Sequence, residues 1–227
     1  MLTIERSRDR TKIADEFLER IRDIEFPCVG AKAAAARDNL TIVHARDLAS
    51  AWNDVEIHRA ILEWNWTRKN DRAQLHSFAV VFDGPRELTE QQFETLMWER
   101  LQSLADKDVW CGQRYDDSVS ADPENPHFAL SFGGEALFVV GLHPGSSRPA
   151  RRFSSPVLVF NPHRQFEMLR EAGKYERMRD AILARDEKLA GSINPMLAQH
   201  GEVSAARQYS GRAVGENWVC PFQDKRG

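Results

Sequence analysis

Apolar residues recur at Ile13, Phe17, Ile21 and Ile24, and that spacing predicts an amphipathic helix over residues 12–24. Pro27 ends it, after which CVGAKAAAARDN predicts a short Ala-rich helix finishing near Asn39. LTIVHA reads as a short strand, and ARDLASAWNDVEIHRAILEWNW as a helix ending near Asn65 and Trp66. HSFAVVF, residues 76–82, predicts a strand closed by the turn residues Asp83, Gly84 and Pro85. Thr89 followed by Gln92 is a capping box opening the helix TEQQFETLMWERLQSLAD. Residues 111–126 are polar and carry prolines, the composition of a long loop. HFALSF and ALFVVGL, joined through Gly133-Gly134-Glu135, predict a β-hairpin, and VLVFN a further strand. QFEMLREAGKYERMRDAILARDEKL reads as one helix with Gly173 as its weak point, and residues 191–222 as irregular chain laid over the core.

Strands interrupted by long helices, with at least one antiparallel neighbour pair, predict an α+β fold: a central, largely antiparallel or mixed sheet packed with helices. The length of 227 residues suits a single domain over 1–227, with helices in 1–40 and an irregular tail over 191–227. An apolar share of 42% excludes a disordered chain, and a net charge of −3 gives no basic footprint for nucleic acid. The basic residues are 24 Arg against 7 Lys, which favours planar recognition of carboxylates and phosphates. No run of 18 apolar residues occurs and the N-terminus lacks an apolar signal core, so the expectation is a soluble, cytoplasmic protein with no membrane partner.

Candidate chemistry concentrates in GLHPGSSRPARRF, residues 141–153. His143 follows an apolar strand and adjoins Arg148, Arg151 and Arg152, a cluster suited to an anionic ligand or to plain solvation. His163 follows VLVFNP and opens a helix. Spacing alone favours ordinary structural roles for both, and none of the seven histidines falls into a zinc motif. GxxxxGK[ST] and GxGxxG are absent, so a nucleotide is not the natural anion. Cys28, Cys111 and Cys220 form neither a CxxC nor an even set. Cys28 stands at a predicted helix start, where the macrodipole favours a thiolate, and Cys220 lies in WVCPF; a buried structural role is the plainer reading of both.

Taken together, FPCVGAKAA, HFALSFGGEALFVV, HPGSSRPARRF, FNPHRQFEMLR, INPMLAQHG, ARQYSGR and WVCPF resemble the YqcI/YcgG family over nearly the whole chain. The HPGSSRPARR and FNPHRQF elements are similar to those of its haem-dependent guanidino N-hydroxylases, enzymes of natural-product biosynthesis. That resemblance implies a non-covalent b-type haem, O2 or a peroxide as oxidant, and N-hydroxylation of arginine or a related guanidine or amine. Given such a haem, His143 is the expected iron ligand because it adjoins the Arg cluster, with His163 its competitor, and Arg148, Arg151 and Arg152 would neutralise the propionates. Glu135, then Asp186 and Glu202, would pair the substrate guanidinium, and Tyr209 and Arg212 would bind its carboxylate or the haem edge. An electron-donor protein and a homodimeric assembly are compatible with it. The competing readings are a non-catalytic haem- or anion-binding protein, and a cofactor-free thiol enzyme using Cys28 or Cys220.

Overall fold

The computed structural model describes residues 2–68, 71, 74–192 and 202–226. Among these, β1 (Leu40–Asp47), β2 (Ser77–Gly84), β3 (Leu130–Phe132), β4 (Glu135–Leu142) and β5 (Val157–Pro162) form one mixed sheet ordered β1-β2-β5-β4-β3. β1 and β2 run parallel, from Leu40 opposite Ser77 to Asp47 opposite Gly84, and the other pairings are antiparallel. The hairpin turn falls at Gly133 and Gly134, whose φ values of 60° and 73° are the left-handed pair that a two-residue turn needs. The α+β expectation holds, in a single domain.

Alternation along the strands divides the apolar residues between two faces. Phe78, Val80 and Phe82 of β2, Leu137 and Val139 of β4, and Leu158 and Phe160 of β5 share one cluster with α3 (Asp54–Thr67) and α4 (Glu90–Trp110). Ala79, Val81, Leu142, Val157 and Val159 turn to the opposite face, where they meet Ile13, Phe17 and Ile21 of α1 (Leu2–Arg22). The short helix α2 (Val29–Ala36) begins on that same face, with Cys28 as its N-cap.

Thr89 caps α4 as expected: its backbone N–H donates to the Gln92 side chain and its hydroxyl accepts from the Gln92 N–H. The long helix expected over residues 165–189 is two helices, α5 (His163–Glu171) and α6 (Tyr175–Ala190). Gly173 adopts φ 62° between them, a conformation that leaves the right-handed helical path. The first residues of the helix expected from Ala45 belong instead to β1, and α3 opens only at Asp54 after a single tight turn over Ala51–Asn53. The INPMLAQHG element, residues 193–201, lies outside the described residues. Beyond it comes one short helical turn, α7 (Ala206–Tyr209), and then chain without regular secondary structure. No helix among the described residues is long and apolar enough to cross a membrane.

Candidate functional site

A cavity of about 280 Å³ opens on the α1 face of the sheet. Its floor includes Ser77, Phe138, Val140, Val159 and Asn161, and Phe17 and Ile21 of α1 wall one side. α5 adds His163, Gln165, Phe166 and Arg170, and α6 adds Tyr175, Met178, Arg179, Ile182 and Asp186. An apolar chamber with a few converging polar groups is the common form of a small-molecule site, and this volume falls just below the ~300–1,000 Å³ typical of such sites.

Two polar groupings face it. In the first, the Arg148 guanidinium donates to the Asp186 carboxylate and to the Ser192 hydroxyl (3.0 Å) and carbonyl (2.9 Å). Next to it, half-buried Arg151 donates to the carbonyls of Gly141 (3.1 Å), Tyr209 (3.2 Å) and Gln208 (3.0 Å), lacing β4 to α7. Burial lowers the Arg151 pKa to about 10, with Cys28 and Asp186 opposing the shift. In the second grouping, His163 Nε2 lies 3.2 Å from Glu167 Oε1 one helical turn on, and Arg170 holds the same carboxylate oxygen at 2.5 Å. Asp116 is close by: burial alone would raise its pKa, but hydrogen bonds from Ser118 and the Ala136 N–H, with His163 near, bring it below its usual value. On the floor, the Ser77 hydroxyl donates to Asn161 Oδ1 at 2.7 Å.

The residues expected from the sequence divide sharply. His163, Arg148, Arg151 and Asp186 line the cavity. His143 does not. Its ring is 1% exposed and stacks on Phe93, with centroids 4.3 Å apart, on the α4 face of the sheet. Arg152 folds back on its own loop, donating to the carbonyls of Ser146 (2.6 Å) and Ser147 (3.2 Å). Glu135 stands at the hairpin, where Arg68 approaches it to 3.4 Å. Tyr209 is fully buried between Trp98 and Phe138, and burial raises its hydroxyl pKa. Arg212 pairs with Glu94, which also accepts from Ser210 (2.9 Å) and Trp218 (3.3 Å), so it fastens the tail. Glu202 is exposed.

Cys28 also lines the cavity, and its Sγ accepts from the Ala31 N–H at 3.4 Å. The helix start is where the sequence puts it, yet burial outweighs that hydrogen bond and raises the thiol pKa. Cys220 is pushed up to about 12, also by burial. Both thiols are therefore protonated near neutrality, which disfavours nucleophilic chemistry at either. No group of three metal-ligating side chains occurs among the described residues.

Sequence reasoning missed the wall from α1, the apolar residues of α6 and the polar floor of Ser77 and Asn161. One signal was available: Asn161 is the polar residue closing the otherwise apolar run VLVFN.

Comparison with known proteins adds one match. The model of the YqcI/YcgG family covers residues 17–223. No curated protein and no solved structure matches the chain.

Proposed function

The chain belongs to the YqcI/YcgG family, and from that premise we propose that the cavity is the site of a haem-dependent monooxygenase that N-hydroxylates a guanidino group, in arginine or a related guanidine or amine. The proposal moves the iron ligand from His143 to His163. His143 is enclosed between Phe93 and its own loop, whereas His163 is the one histidine in the cavity wall among the described residues. That position is the observation that carries the reading.

The surroundings of His163 support it. A neutral imidazole whose Nε2–H meets a carboxylate keeps its lone pair on Nδ1, and ligating histidines are commonly held in this way. Glu167 is that carboxylate, at 3.2 Å, itself steadied by Arg170. Phe17, Phe138 and Phe166 supply apolar surface for a flat ring system. Arg179 lines the cavity in a long 3.7 Å pairing with exposed Glu176, which an acidic arm of a cofactor can displace. Arg151 is a poorer partner for such an arm, because its fork already serves three carbonyls.

A bound haem b would supply activation of O2 or a peroxide for oxygen insertion at nitrogen, with an electron-donor protein providing reducing equivalents in the O2 case. The protein's own contribution is to bind and orient the substrate. Asp186 is the one carboxylate in the wall among the described residues, and its pairing with Arg148 shows that it accepts a guanidinium. A substrate guanidinium can exchange with that of Arg148 on the same oxygens, which would hold the reacting nitrogen inside the chamber.

The test is an absorption spectrum of protein produced with haem supplied. A Soret band is expected, retained in His143→Ala and lost or shifted in His163→Ala. Absence of the band in the wild-type protein, or a His163→Ala spectrum identical to it, overturns the proposal. Formation of an N-hydroxyguanidine from arginine in the presence of a reductant then separates an enzyme from a carrier.

A further inference from the structure

We propose that α6 is a hinged gate over the cavity, latched shut by Arg148 and Asp186. The proposal rests on reading the cavity as the binding site, though not on which ligand fills it.

The first observation is how little holds this helix down. α4 sinks Phe93, Met97, Trp98, Leu101 and Leu104 into the core, whereas α6 buries one residue among its 16, and that residue is the charged Asp186. Its apolar side chains Tyr175, Met178, Ile182 and Leu183 are half-buried and line the cavity, so they face open volume where a close-packed helix would meet other side chains. Apolar burial therefore contributes far less to docking α6 than to docking α4.

The second is where the attachment lies. Arg148, in the loop after β4, bonds Asp186 near the end of α6 and Ser192 just past it, through the hydroxyl at 3.0 Å and the carbonyl at 2.9 Å. Among the described residues, one guanidinium from a neighbouring loop thus grips the far end of the helix. Such a grip is strong while intact and fails as a unit, because removing either partner strands a buried charge.

The third is the other end. Gly173 adopts φ 62° and closes α5, its N–H donating to the Arg170 carbonyl (2.9 Å) and the Lys174 N–H to the Leu169 carbonyl (2.8 Å), so the chain bends at this one residue before α6 begins. α5, before the hinge, stays fixed: Gln165 Oε1 accepts from the His76 N–H at 3.0 Å and Phe166 packs edge-on against Phe138. A fixed helix, a bend confined to one glycine and a weakly packed helix latched at its far end make a hinge closure. Ligands with a carboxylate compete for Arg148 and ligands with a guanidinium for Asp186, so binding and unlatching are coupled. An opened gate also admits molecules larger than the 280 Å³ of the closed chamber.

Hydrogen exchange read by mass spectrometry on the ligand-free protein tests this. In Asp186→Asn the amides of residues 175–190 should exchange about tenfold faster or more, while those of β2 and β5 keep their wild-type rates. Uptake of 1-anilinonaphthalene-8-sulfonate into the cavity should accelerate in parallel. Unchanged exchange in α6 overturns the proposal, and so does an equal acceleration in β2 and β5, which would make the pair a contributor to global stability alone. Should Asp186→Asn fail to fold, Arg148→Lys decides by the same criteria, since it keeps the charge but loses the fork that reaches Ser192. A missing Soret band would count against the haem reading and leave these exchange rates untouched.

Discussion

Phe93 and His143 lie ring on ring, 4.3 Å between centroids and 16° from parallel, joining α4 to the loop after β4. The imidazole Nδ1 is buried without a hydrogen-bond partner, and burial lowers the His143 pKa to about 4 despite the opposing influence of Glu90. A histidine held neutral in this way destabilises the fold as acid is added. Between its ordinary pKa near 6.5 and the folded value of about 4, the unfolded chain takes up the proton and the folded chain does not. Stability should therefore fall from pH 6.5 to pH 4, by at most about 3 kcal/mol from this group, and level off below. His143→Phe should flatten that acid limb in urea titrations, and His143→Ala should cost about 2–4 kcal/mol at neutral pH.

Arg151 predicts a second effect on stability. Its guanidinium satisfies three carbonyls that belong to β4 and α7, and Arg151→Met leaves all three without that donor. The expected loss is about 3 kcal/mol by urea denaturation. Arg151→Lys should recover only part of it, because an ammonium cannot present the same planar fork.

Cysteine labelling should follow burial. Iodoacetamide at pH 7 should modify exposed Cys111 first and leave Cys28 and Cys220 largely intact. Because the thiol pKa values of Cys28 and Cys220 are raised by burial, their labelling should quicken as pH rises above 8. Rapid modification of Cys28 at neutral pH, measured by peptide mass, would revive a thiol mechanism.

Glu94 anchors the chain after α7. Glu94→Gln keeps the volume but removes the charge that Arg212 and Trp218 share, and should cost about 2 kcal/mol. Since Trp218 packs within 6.4 Å of Trp98, a red shift in tryptophan emission and faster proteolysis after residue 212 should accompany the loss.

Much of the fold was legible because local signals agreed with one another. Gly133 and Gly134 fit a two-residue turn and the flanking runs fit strands, so the hairpin follows from chain chemistry. The break at Gly173 was visible only as a weak point, since the flanking periodicity also suits an unbroken helix. The site was harder to read. Strand parity puts His143 on the same face as Leu137 and Val139, and His163 in phase with Val159 and Asn161. Both faces of the sheet are apolar, so no pattern along one strand tells which face is packed solid and which is left open. That depends on how closely α4 and α6 approach, a matter of long-range packing.

The parallel join between β1 and β2 has its own consequence for how the chain comes together. β3, β4 and β5 follow one another in the chain and pair as antiparallel neighbours, through the tight turn at Gly133 and Gly134 and then the loop between Leu142 and Val157. β1 reaches β2 only after the intervening segment has formed α3 and crossed over, a longer excursion with a larger closure entropy. By the same measure β5 lies farther along the chain from β2 than β2 does from β1. The parallel pair and the C-terminal meander therefore each close on their own, and the seam between β2 and β5 at the centre of the sheet joins them last.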